Sequence, residues 1–192
     1  AMRRTLEKTI NEGNISYFKH DFVQTICSVE GHGHLPTVRH GFEANCDALL
    51  DLMAYERQLK PDILCAPTSY VWLSPWWLTE ANYIFMAASD TGSVATHPQL
   101  SPREREMNYR DDHFYRIYKK RNLVPLSPMI THAFTRAALW NEGGDQESLR
   151  EWSDTAMMVF GRGLRLIDMY VDPSPLSPDF WQVLGESIRW WQ

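Results

Sequence analysis

The chain has no C-x-x-C pair, no basic block, no apolar run of membrane-spanning length and no glycine-rich phosphate loop, and each absence removes a class of function. Its cysteines, Cys27, Cys46 and Cys65, are odd in number and widely spaced, which suggests neither a disulfide framework nor a zinc site and leaves the redox compartment open. Acidic residues outnumber basic ones, 24 against 19, for a formal net charge of -5. With no cluster of lysine or arginine, that balance argues against nucleic acid or an anionic membrane surface as partner and points to neutral substrates. No segment approaches the roughly 18 uninterrupted apolar residues of a membrane span, and Ala1-Met2-Arg3-Arg4-Thr5-Leu6-Glu7 does not read as a signal peptide. Both G-x-G-x-x-G and G-x-x-x-x-G-K-[ST] are missing, which weakens a nucleotide-binding reading.

What remains is a chain of 192 residues, 44% hydrophobic, with the length of one modest domain spanning residues 1–192. Aromatic residues are abundant: eight Trp, eight Tyr and eight Phe. Indole-rich clefts suit the apolar faces of sugars, although large aromatics are also ordinary core material. A helical pattern over Thr5–Gly13 leads into a strand at Ile15–Asp21, and a loop-like stretch then runs to Gly41. Ala44, Leu49, Leu50, Met53 and Ala54 make one face of an amphipathic helix from Glu43 to Leu59, ended by Pro61. Ile63–Ala66 reads as a strand buried on both faces, and Ser74-Pro75 opens a short helix. Further strands are expected at Tyr83–Ala88, Val124–Ile130 and Leu164–Val171. Ser101 caps a charged helix to about Arg121 whose charges are expected to form mostly a solvated face; Glu147–Phe160 and the segment from Ser177-Pro178 through Trp191 complete the helices. Alternating helices and strands call for an α/β fold of parallel β/α repeats.

Polar residues gather where these strands end. Tyr17, Lys19 and Asp21 share one strand face by alternation, so an ammonium and a carboxylate emerge together. Such a pair is either a salt bridge at a strand end or a nucleophilic carboxylate kept ionised by its neighbour. Asp90 closes the Tyr83–Ala88 run and His132 follows the Val124–Ile130 run. In parallel β/α folds that end of the sheet carries the active site. Trp72, Trp76 and Trp77 crowd one loop, as a hydrophobic plug or as a substrate platform. His20, His32, His34 and His40 lack a rigid i, i+4 pair or an H-E-x-x-H motif, so a polar loop is expected there, with no metal and no cofactor.

Tyr17-Phe18-Lys19-His20-Asp21 resembles the strand-borne K-x-D of the α-galactosidase-like glycoside hydrolases, retaining (β/α)8 enzymes. Ser74-Pro75-Trp76-Trp77-Leu78, Tyr109-Arg110-Asp111, Pro125–His132 and Leu166–Tyr170 are similar to a bacterial branch of that superfamily that carries the label "enterotoxin". The resemblance implies that Asp21 is the nucleophile and that Asp90, after Ser89, is the acid/base, with Lys19, Trp72, Trp76, Trp77, Arg110 and His132 contacting carbohydrate. It further implies that the strands correspond to strands four to eight of a TIM barrel that is incomplete here, since a closed barrel takes about 250 residues. A missing N-terminal barrel half or self-association is then the expected partner, and a secreted or periplasmic longer chain is one setting for it. The alternative is a catalytically inactive carbohydrate-binding or structural remnant of such a barrel.

Overall fold

The structure, a computed structural model, describes residues 2–21, 27–68, 73–85, 99–120, 124–137 and 143–192. The chain divides into two compact units, Ala1–Ala87 and Ala88–Gln192. It is mixed α/β, with parallel strands in two small sheets. Among the described residues no helix is long and apolar enough to cross a membrane.

In the first unit, helix α1 (Met2–Gly13) buries Ile10, and Asn14 rather than Gly13 takes the left-handed backbone that ends it, at φ 48. Asparagine tolerates that region better than other side chains with a Cβ. Strand β1 (Tyr17–His20) follows, then helix α2 (Val38–Leu59) and strand β2 (Leu64–Pro67). Helix α2 begins five residues before the expected Glu43, because Thr37 caps it by accepting from the His40 backbone N–H at 3.3 Å. Gly41 falls within its first turns, where a Cβ would meet the Cys27 carbonyl. Strands β1 and β2 pair in parallel, Phe18 opposite Cys65 and His20 opposite Pro67, so α2 is the crossover helix that parallel pairing requires. Adjacent residues on β2 point to opposite faces, and Cys65 and Ala66 are both fully buried, which fits the sequence expectation of two covered faces. Asn82 extends the edge of β2: its side chain accepts from the Cys65 N–H at 3.0 Å while its own N–H donates to the Cys65 carbonyl at 2.9 Å. A 3₁₀ turn (Pro75–Thr79) precedes it, and strand β3 (Ile84–Phe85) is short and buried. Of the expected Tyr83–Ala88 strand, residues 86–88 lie outside the described residues.

In the second unit, helix α3 (Pro102–Phe114) continues into a π-helical turn (Tyr115–Lys119). Strand β4 (Met129–Arg136), helix α4 (Leu149–Gly161), strand β5 (Leu166–Val171) and helix α5 (Pro178–Trp191) complete it. Strand β4 corrects the expectation of a strand over Val124–Ile130: Pro125 and Pro128 carry no N–H to give a ladder, and pairing starts only after the second of them. Strand β4 pairs in parallel with β5, with an irregularity between His132 and Phe134. Serine opens α3 and α4 alike, each through a reciprocal capping box, Ser101 with Glu104 and Ser148 with Glu151. The core joins α4 to α5 through Trp152, Ala156, Val159, Phe160, Leu176 and Leu184. Both indoles at this contact satisfy their N–H on backbone, Trp152 on the Phe180 carbonyl at 3.0 Å and Trp191 on the Leu164 carbonyl at 2.9 Å.

Candidate functional site

The chemistry of the first unit collects at the C-terminal ends of β1 and β2. Asp21 is exposed just past the last residue of β1. Thr68, just past the last residue of β2, ties the two strand ends together: its N–H donates to the His20 carbonyl at 2.9 Å and its hydroxyl lies 3.2 Å from Asp21 Oδ1. Lys19, on the strand, carries its ammonium 5.9 Å from the centre of the Phe85 ring, within reach of a cation–π contact.

On the neighbouring strand position the chain builds a second, buried group. His20 Nε2 lies 3.0 Å from Glu56 Oε2, and the Cys65 thiol donates to that same oxygen at 3.2 Å. Glu56 comes from the inner face of α2 and is 0% exposed. Burial, followed by the hydrogen bond to Glu56 and its charge, pushes the Cys65 thiol up to about 12. The other oxygen of Glu56, Oε1, is buried and has no hydrogen-bond partner among the described residues. Sequence reading missed Glu56, whose place on α2 three residues after Met53 puts it on the apolar stripe and was the available signal.

A groove of about 400 Å³ runs between α2 and the 3₁₀ turn, lined by Arg39, Glu43, Cys46, Asp47, Trp76 and Trp77 among others. Ser74 caps that turn, accepting from the Trp76 N–H at 3.3 Å, and so sends the two neighbouring indoles to different fates. Trp76 is 75% exposed, whereas Trp77 is 2% exposed and belongs to the core. Burial, then the charges of Asp47 and Glu43, pushes the Cys46 thiol up to about 11.

In the second unit Arg110 is buried and donates to Glu106 at 2.6 Å. It belongs to a buried ionic cluster in which Arg103 bridges Glu106 and Glu147, reaching Glu147 Oε1 at 2.5 Å, while Arg136 also pairs with Glu147. Most charges of this helical segment, among them Glu104, Asp111, Asp112 and Arg116, are exposed, as expected of a mostly solvated face, and three are not. Arg103, Glu106 and Arg110 stand at i, i+3 and i+7, the spacing of one helix face, and that face is turned inward. His132 lies within β4, opposite Asp168 in the strand register, rather than at the strand exit that the sequence suggested. Asp90 and Trp72 lie outside the described residues. Of the expected site residues, then, Lys19 and Asp21 stand together at the end of β1, and Trp76 and Trp77 share one groove.

No protein-family model, curated protein or solved structure matches the chain.

Proposed function

We propose that the chain is a retaining glycoside hydrolase unit of the α-galactosidase-like kind, its parallel β/α repeats corresponding to the C-terminal part of a (β/α)8 barrel. The observation that carries this reading is Asp21: an exposed carboxylate at the C-terminal end of a parallel strand pair, held by Thr68 of the neighbouring strand end. That end of a parallel sheet is where β/α enzymes place catalytic groups. In the proposed reaction the Asp21 carboxylate bonds to the anomeric carbon as the bond to the leaving oxygen breaks, and Asp90 gives that oxygen its proton. Asp90 then removes a proton from water, which displaces Asp21 and releases the sugar. Lys19 supports the negative charge of Asp21, and Trp76 offers its exposed ring to the sugar.

Hydrolysis of an aryl α-galactoside tests the reading. The expected result is turnover that Asp21→Asn lowers by about 10⁴-fold while circular dichroism is unchanged. Turnover equal in the variant and the parent chain would overturn the assignment of Asp21. The exposure of Trp76 favours a second reading, a carbohydrate-binding remnant without catalysis. It is distinguished by no turnover together with a galactoside-dependent change in tryptophan fluorescence that Trp76→Ala removes.

A further inference from the structure

We infer that His20, Glu56 and Cys65 form a binding site for a borderline-soft divalent cation, Zn²⁺ in particular. Three different elements contribute one ligand each: the end of β1, the inner face of α2 and the middle of β2. His20 Nε2, a Glu56 carboxylate oxygen and Cys65 Sγ all lie within 4.8 Å of one another. A tetrahedral zinc with its ordinary bond lengths separates such ligand atoms by about 3.4–3.6 Å. The present separations of 3.0 Å and 3.2 Å through Glu56 Oε2 need widening by only a few tenths of an ångström.

The independent observation is the second oxygen of Glu56. A fully buried carboxylate with one oxygen lacking a partner among the described residues is costly unless something positive reaches it. A cation between the three side chains supplies that charge and gives Oε1 a neighbour. The donor set selects the ion: thiolate, imidazole and a single carboxylate suit zinc, whereas magnesium and calcium take oxygen cages. Three protein ligands also leave the fourth tetrahedral position for water or substrate. On binding, the sulfur–hydrogen bond of Cys65 breaks, its proton passes to solvent, and the sulfur electron pair binds the cation; no electron is transferred. His20, with 10% of its side chain exposed against 0% for Glu56, is the side from which an ion enters.

The site does not depend on the glycosidase reading, and its test reads metal rather than turnover. The full chain is stripped with chelator, loaded with Zn²⁺ or Co²⁺, and dialysed. The expected outcome is one equivalent of zinc per chain and, with cobalt, a thiolate-to-metal charge-transfer band accompanied by the visible bands of tetrahedral coordination. Cys65→Ser should remove the charge-transfer band, and His20→Ala should weaken binding by at least about 100-fold, while Cys46→Ser leaves both properties intact. If a variant fails to fold, the parent chain decides alone through its cobalt spectrum. Absence of the thiolate band in the parent chain, or retention of it in Cys65→Ser, overturns the inference and leaves the three side chains as a hydrogen-bonded buried cluster.

Discussion

Glu147 is the residue on which the interior charge of the second unit turns, since Arg103 and Arg136 both donate to its buried carboxylate and Arg103 is itself fully buried. Gly143 makes room for its carboxylate, because a Cβ there would overlap it. Removing one member of a buried ion cluster leaves the others charged and unpaired, at a cost of about 3–5 kcal/mol. Glu147→Gln should therefore lower stability by about that much, measured as a shift in the urea midpoint with an unchanged slope. Gly143→Ala should destabilise in the same direction by pushing the carboxylate off its arginines. In the first unit the sign of the charge is reversed around Cys46, and the thiol is neutral until the pH approaches about 11. Its alkylation should consequently remain slow at pH 8 and accelerate as the pH is raised toward 11, followed residue by residue with mass spectrometry. Fast labelling of Cys46 at pH 7 would contradict the burial and the acidic neighbours that hold its proton.

At the scale of the element, the starts of α3 and α4 are set by serine and glutamate three residues apart. In α4 the Ser148 hydroxyl accepts from the Glu151 N–H at 3.2 Å, and Glu151 Oε2 accepts from the Ser148 N–H at 2.8 Å. Partial burial acts to raise the Glu151 carboxyl, yet the hydrogen bonds from Ser101 and Ser148 and the charge of Arg103 outweigh it and hold the group below its ordinary value. A carboxyl lowered in the folded state contributes stability that is present above its unfolded value and is lost as the pH falls through the folded one. The thermal midpoints of the parent chain and of Glu151→Gln should thus differ at pH 7 and converge in acid below about pH 4. Ser148→Ala should cost about 1 kcal/mol, as loss of a helix cap does. The capping boxes are legible as S-x-x-E in the sequence at Ser101 and Ser148, and the register of α3 follows from the first of them. The extra turns of α2 before Glu43 are not legible in the same way, because Thr37 works as a cap only once Val38–Phe42 is coiled beyond it.

For the whole molecule the governing quantities are charge and exposed apolar surface. The net charge of -5 and an isoelectric point near 5.8 mean that mutual repulsion disappears in mild acid. Trp76 and Trp190, 75% and 71% exposed, together with Met157 at 67%, then meet little electrostatic resistance to association. Solubility should pass through a minimum close to pH 5.8 and recover on return to pH 8, with light scattering as the measurement. Turbidity independent of pH between 5 and 8 would show that charge does not control association of this chain.

By itself the sequence determined the alternation of helix and strand, the parallel sense of the pairing, and the placing of Lys19 and Asp21 at a strand end, because apolar periodicity and glycine or proline punctuation are local properties. The beginning of β4 was misread there, since a proline-bounded apolar run looks like a strand until the missing N–H groups are counted against a partner. Only the tertiary structure decided which charges are inside. Arg103, Glu106 and Arg110 look like a solvated face until Glu147 and Arg136 arrive from elsewhere in the chain to neutralise them. The same holds for His20, Glu56 and Cys65: no motif links them, and their convergence exists only because α2 crosses back over a parallel strand pair and carries a carboxylate between an imidazole and a thiol.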